Sequence, residues 1–298
     1  MSAKASLDHV YSAVEEAAGL LDIACSRDKL WPALTAFQDV IASPIVFNMV
    51  TKGGRIGDLS FDFMLPSSAG DPYAIALSHG LAAETDHPIR ALFSDIQARL
   101  PVHGYGVDYG INGGFNKTYL AFPLGDLQGL AELDELPSMP DGLTAHRNSF
   151  TRYGLDGKVS ALAIDYAHRT WNVYFNGLAP EHVERKAVLS MLSEFGLPEP
   201  SEQMLGFAET SSALYTTFGW DSSKVERISF STRTTDPSVL PARIEPRIEA
   251  FARNAPYTYE GDRILVYARA LSPSEEYFKV AAYYQMAAAA HDRVRSAS

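Results

Sequence analysis

Gly114-Phe-Asn-Lys-Thr-Tyr-Leu-Ala-Phe-Pro123 lies between a Gly-Gly turn and a proline, and its β-branched and aromatic residues mark it as a strand. Alternate side chains of a strand point to opposite faces. Thr118, Leu120 and Phe122 therefore share one face, and Lys117, Tyr119 and Ala121 share the other. The fold turns on which face meets an apolar interior, and on what a lysine and a tyrosine do on the opposite one.

The same alternation recurs along the chain. Thr170, Asn172, Tyr174 and Asn176 alternate with Trp171, Val173 and Phe175, and Arg227, Ser229, Ser231 and Arg233 with Ile228, Phe230 and Thr232. Ser60, Asp62 and Met64 lie between Leu59, Phe61, Phe63 and Leu65; Asn48 lies between Phe47 and Met49, and Tyr215 faces opposite to Leu214. A solvated sheet face normally carries abundant Glu and Lys. These faces carry Tyr, Asn, Ser, Thr and isolated cations, the composition of a lined cavity.

Around these strands the chain repeats helix, helix, strand, strand. Helical spacing covers 7–25 and 28–41, then strands 45–50 and 58–65 flank a Lys-Gly-Gly-Arg turn. Helices 71–80 and 88–100 precede strands 104–111 and 115–122, and helical text before Tyr153 precedes strands 158–167 and 170–176. A helix over 180–195 leads to strands 206–220 and 225–233; a helix over 241–254, a strand over 263–271 and a closing helix from Ser274 complete the pattern. Hairpin-linked strands are antiparallel, and about ten of them must expose edges or close. The expected class is α+β: an antiparallel barrel with helices outside, apolar strand faces against those helices, and Lys117 and Tyr119 in the lumen. No linker divides the repeats, so residues 1–298 read as a single domain.

Composition narrows the function. At 46% hydrophobic and 20% charged residues the chain is globular. No window approaches the roughly 18 consecutive apolar residues that span a bilayer, and the start lacks a signal-peptide layout, so a cytoplasmic protein is expected. Cys25 is the one cysteine; it excludes an internal disulfide and reads as a packed helix residue. A net charge of -11 without a basic tract argues against nucleic acid and leaves the cations to serve a small anion.

Lys117, Arg227 and Lys279, with Tyr and Asn donors around them, suit a diphosphate, because ionised oxygens bond strongly to ammonium and guanidinium groups. Tyrosine ring faces hold an organic cation. Diphosphate and carbocation together specify an allylic diphosphate. Competing motifs fail: GGFNKT has Asn116 where a phosphate loop has glycine and runs on as a strand. His-Glu-x-x-His, Gly-x-Ser-x-Gly and paired-aspartate motifs are absent. A non-catalytic barrel binding a small hydrophobic anion is the rival from another class.

The stretches EEAAGLL, ACSRDK, GDPYA, GGFNKTY, LPSMP, RYGLDGKV, LSPSEEY and AAYY resemble the ABBA aromatic prenyltransferases, the soluble bacterial NphB-type group, over about 10–284. That resemblance implies five ααββ units closing a ten-stranded barrel around a solvent-filled lumen. It implies transfer of a dimethylallyl or geranyl group from its diphosphate to an electron-rich aromatic ring. Position by position it implies a diphosphate site of Asn48, Lys117, Asn172, Tyr215, Arg227 and Lys279, with Tyr119, Tyr174 and Tyr283 flanking the prenyl chain and the acceptor. Lys117, Arg227, Tyr119 and Tyr174 would carry the catalysis. The implied partners are the prenyl diphosphate and a small aromatic molecule, with no membrane, and the expected working unit is a monomer.

Three departures from the family pattern follow. Ser60 stands where the family has its magnesium-binding aspartate, with Asp62 two positions on, so turnover without magnesium, and without any cofactor, is expected. His168 replaces a second family lysine in a hairpin, a titratable candidate for diphosphate contact. Ala121, Ala161, Ser212, Ala213 and Ala289 are small where the best-known member is bulky, which admits a polycyclic phenol such as a hydroxynaphthalene or naphthoquinone precursor, with a phenazine-type acceptor as runner-up. Lys117→Ala and Arg227→Ala are each expected to remove transfer without loss of the fold.

Overall fold

The computed structural model describes residues 6–239 and 244–286. Ten strands close into one antiparallel barrel in the order β1-β10-β9-β8-β7-β6-β5-β4-β3-β2. In chain order these are β1 (Ala42–Lys52), β2 (Arg55–Pro66), β3 (Gly104–Gly110), β4 (Gly114–Ala121), β5 (Val159–Asp165), β6 (Thr170–Asn176), β7 (Ala213–Gly219), β8 (Val225–Thr234), β9 (Leu265–Leu271) and β10 (Glu276–Gln285). Helices α1 (Leu7–Leu20) and α2 (Arg27–Ala36) precede β1, α3 (Pro72–Ser78) and α4 (Ile89–Arg99) precede β3, and α5 (Leu130–Asp134) and α6 (Asp141–Arg152) precede β5. The fourth unit has three helices, α7 (Pro180–Val183), α8 (Arg185–Glu194) and α9 (Glu202–Ala208), and the described part of the fifth has α10 (Pro246–Asn254).

Both faces of β4 behave as its alternation requires. Thr118 and Leu120 are fully buried under the helices, while Lys117, Tyr119 and Ala121 are partly accessible from the lumen. The outward residues Phe47, Phe61, Trp171, Phe175, Phe218 and Phe230 are also fully buried. Helix aromatics lock onto them: Phe37 meets Phe63 with ring centroids 5.1 Å apart, Phe150 meets Phe175 at 5.2 Å, and Phe207 meets Tyr267 at 4.8 Å. Each such buried side chain contributes about 1.5–3 kcal/mol, so the main core is the shell between sheet and helices.

Three expectations are corrected. The segment from Ser274 is the strand β10 rather than a helix. Its alanines favour a helix locally, but β1 and β9 would otherwise both be open edges, and Lys279 is the cross-strand partner of Val50 on one side and Ala268 on the other. The expected strand over 206–220 begins as α9, which Ser201 caps by accepting from the Met204 N–H, and becomes β7 only at Ala213. The expected helix over 180–195 breaks where Glu184 takes an extended conformation. The start of the helix expected from Pro241 lies outside the described residues, as does Ala289.

Candidate active site

All five hairpins lie at one end of the barrel, and three of the lumen-facing cations, Lys117, Arg227 and Lys279, lie towards it. Lys117 is the fourth residue of β4, Arg227 the third of β8 and Lys279 the fourth of β10. Lys117 and Lys279 each lie close enough to Arg227 for its charge to oppose theirs, and Lys279 is close enough to Lys117 as well, so the three share one neighbourhood on the lumen wall.

Each cation is held differently. Asp108, Lys117 and Asp165 are consecutive cross-strand partners on β3, β4 and β5, which brings the Lys117 Nζ to 3.5 Å from Asp108 and 3.3 Å from Asp165. Burial opposes the Lys117 charge, but the two carboxylates outweigh it and raise its pKa. Burial likewise works against an ionised Asp165, and Lys117 and His168 reverse that, holding its carboxyl far below the usual range. Arg227 Nε donates to Thr217 Oγ1 at 2.9 Å, and Thr217 donates onward to Asn172 Oδ1 at 2.6 Å, fixing the guanidinium plane. Lys279 has no carboxylate within ion-pair distance among the described residues; its Nζ sits 5.0 Å from the Tyr215 ring centroid and 5.8 Å from that of Tyr277. Burial, and then the Arg227 and Lys117 charges, push its pKa down to about 8.

Next to the cations comes a belt of rings. Tyr119 lies 5.9 Å from Tyr174, which stacks on Tyr215 at 4.8 Å. Burial first, and then neighbouring anionic groups, push the Tyr119 hydroxyl well up; burial also dominates at Tyr174, so both present neutral phenols. Beyond the belt, towards the far end, the wall thins to Ala121, Ala161 and Ala213; Ala121 pairs with Ala161 and Ala161 with Tyr174. Adjacent residues of an extended chain project to opposite sides. Ala213, partner of Ser231 and of Asn176, therefore belongs to the lumen wall, and the expectation for its neighbour Ser212 is corrected: Ser212 is exposed, outside β7. Tyr283 is on the lumen face of β10 near this end, opposite Val46. Asn48, opposite Ser60 and Ala281, lies on the same face. His168 sits in the β5–β6 hairpin with its side chain 70% exposed and its Nδ1 3.1 Å from Asp165, so it reaches Lys117 only through that carboxylate.

A cationic pocket, a tyrosine belt and a thin-walled end inside a ten-stranded barrel can hold a diphosphate, its organic cation and a flat acceptor in series. The family described as aromatic prenyltransferase Orf2 matches residues 5–295. The chain belongs to that aromatic prenyltransferase family. It is 47% identical to flaviolin linalyltransferase of Streptomyces virginiae, over 96% of this chain and 94% of that one. It is 46% identical to the furaquinocin biosynthesis prenyltransferase of Streptomyces sp. strain KO-3988, over 93% and 89%. It is 43% identical to 5,10-dihydrophenazine-1-carboxylate 9-dimethylallyltransferase of Streptomyces anulatus, over 96% and 95%. The solved 6-dimethylallyltryptophan synthase of Micromonospora olivasterospora shares the fold with a TM-score of 0.57 at 12% identity, over 95% of this chain and 99% of that one. The protein is thus an enzyme that transfers prenyl groups to aromatic acceptors, and the non-catalytic rival falls.

In this prenyltransferase the carboxylates at Lys117 are residues that sequence reasoning missed. Asp108 between Val107 and Tyr109, and Asp165 between Ile164 and Tyr166, each carry the signal of a polar residue in period-two text. Their register against Lys117 is what makes them part of the site. The same carboxylates bear on magnesium. Asp62 is the cross-strand partner of Asp108, and burial together with the Asp108 charge pushes its carboxyl well above the usual range. Asp108 and Asp165 are already matched to an ammonium. Magnesium needs ionised or carbonyl oxygens in near-octahedral array; a carboxyl held well above its usual range, a serine and two carboxylates already within ion-pair distance of an ammonium match that array poorly. Among the described residues, no group of three or more His, Cys, Asp or Glu is arranged to hold a metal.

Proposed function

We propose that the enzyme moves a geranyl or dimethylallyl group from its diphosphate to a ring carbon of a polycyclic phenol of the hydroxynaphthalene or naphthoquinone-precursor type, by electrophilic aromatic substitution without magnesium. The observation that carries this reading is the axial order of the lumen: three cations, then stacked tyrosines, then alanines. Lys117, Arg227 and Lys279 bond the diphosphate, with Asn48, Asn172 and Tyr215 alongside and His168 at the rim. They stabilise the leaving group as the C1–O bond breaks and its electron pair passes to oxygen. The allyl cation then lies over the Tyr119 and Tyr174 rings, each worth about 0.5–2 kcal/mol to a desolvated cation. The acceptor ring carbon attacks C1 or the other allylic terminus, and the arenium proton leaves to a base or water, restoring aromaticity.

The relative named for flaviolin supports a naphthoquinone-type acceptor and a ten-carbon donor. The relative named for a dihydrophenazine carboxylate supports the second reading, a phenazine-type acceptor with a five-carbon donor. The small side chains of Ala121, Ala161 and Ala213 leave room for either. No helix among the described residues is long and apolar enough to cross a membrane; the proposal includes a cytoplasmic, monomeric enzyme of one barrel domain with no nucleic-acid partner. The test is a competition between a naphthalenediol and a tricyclic phenazine, each with both diphosphates, in EDTA, read by diphosphate release and product mass. Preferred prenylation of the naphthalenediol is expected. Preference for the phenazine selects the second reading, and activity that requires restored magnesium overturns the metal-free step.

A further inference from the structure

Arg233 stands on the same face of β8 as Arg227, six residues along. At about 3.3 Å per residue that is roughly 20 Å, too far to serve the same diphosphate. Its position is the end of the lumen away from the hairpins, beyond Ser229 and Ser231, which are the partners of Tyr215 and Ala213. Across the lumen face it meets Tyr283 of β10: Nη2 donates to the Tyr283 hydroxyl at 3.1 Å, and the guanidinium carbon lies 5.5 Å from the ring centroid. Among the described residues no carboxylate lies within ion-pair distance of it.

A guanidinium has five N–H donors in a planar fork. With one on Tyr283, the exposed Arg233 keeps donors in hand, with no carboxylate beside it among the described residues, at the end where the wall is thin. We infer that Arg233, steadied by Tyr283, is an acceptor-specificity residue that binds an anionic pair of oxygens on the aromatic substrate: a ring carboxylate, or an ionised hydroxyl beside a quinone carbonyl. The fork matches two oxygens held in one plane. Bound there, the acceptor is anchored at its far edge and its electron-rich ring lies towards the tyrosine belt; where the anion is an ionised hydroxyl, its charge also makes the ring a stronger nucleophile. The inference rests on the reading of the lumen as an aromatic acceptor site.

The test measures kcat/KM for three acceptors, 2-hydroxy-1,4-naphthoquinone, a hydroxynaphthoic acid and neutral 1,6-dihydroxynaphthalene, in the wild type, Arg233→Met and Arg233→Lys. A charge-assisted bond is worth about 1.5–3 kcal/mol, so the ratio of anionic to neutral acceptor should fall about tenfold or more in Arg233→Met, chiefly through KM. Arg233→Lys, which keeps charge without the fork, should recover part of it. Loss with only the quinone, or only the acid, identifies which oxygen pair is read. A ratio that does not move for either anion overturns the inference while transfer itself stands. A wild type that prenylates none of the three with either diphosphate overturns the underlying reading instead.

Discussion

Lys117 and Lys279 are both partly buried lysines on the lumen wall, each the fourth residue of its strand, yet they solve the cost of a desolvated charge in opposite ways. Lys117 lies between Asp108 and Asp165 and is held permanently charged. Lys279 has tyrosine rings for company, and its ammonium is weakened by burial and by its cationic neighbours. The first is a fixed positive post; the second is a cation whose charge is less firmly held.

The largest effect that would break this comparison concerns the cations themselves. Arg227→Ala should lower kcat/KM about a hundredfold or more, as loss of one partner of a buried charge pair does, with little change in the melting transition, since Thr217 and Asn172 still satisfy each other. Lys117→Ala should match that loss and also destabilise the fold by about 3–5 kcal/mol, because two buried carboxylates are left facing one another. The expectation that both variants keep their fold is thereby revised for Lys117. Denaturant titration of the pair, with Asp165→Asn added to Lys117→Ala to restore part of the stability, checks it; equal stabilities would show that the carboxylates do not sustain Lys117.

A smaller effect sharpens the contrast through pH. With a folded pKa of about 8, Lys279 loses its charge as pH rises through that value, so donor kcat/KM should decline above it. That limb should vanish in Lys279→Met and move upward in Lys279→Arg. The folded pKa lies below the unfolded value near 10.4; between the two, the unfolded chain holds more protons, so this group makes stability rise with pH across that window. A flat donor profile from pH 7 to 9.5 would mean that Lys279 is as well supported as Lys117.

At the thin end of the lumen, Ala213→Phe should discriminate by size, lowering turnover of a tricyclic acceptor about tenfold more than that of a bicyclic one, the scale of an overpacked site. The smallest effect expected is that of EDTA, less than about twofold on initial rate, since Asp108 and Asp165 are paired with Lys117 and the Asp62 carboxyl is held well above its usual range. Together these separate the effects expected from the cations near the hairpins from those expected from the small side chains at the opposite end.

Much of this was legible in residue order. The alternation in β4 told the lumen face from the helix face, because a two-residue period assigns sides without knowledge of the rest of the chain. The same rule placed Tyr119, Tyr174, Tyr215 and Arg227 inside. It misled at 274–285, where Ala-rich text speaks for a helix and the decision belongs to two strand edges far away in sequence. His168 illustrates the converse: its place in a hairpin was readable, but that its ring turns to Asp165 was not.

By itself the sequence determined the sides of most strands and the inventory of charges, since these follow from short-range periodicity and composition. Only the tertiary structure decided neighbours: that β10 closes the barrel, that Asp108 and Asp165 flank Lys117, and that Arg233 stands a lumen's length from Arg227. Register between strands is set by closure of the whole sheet, and no local window contains it.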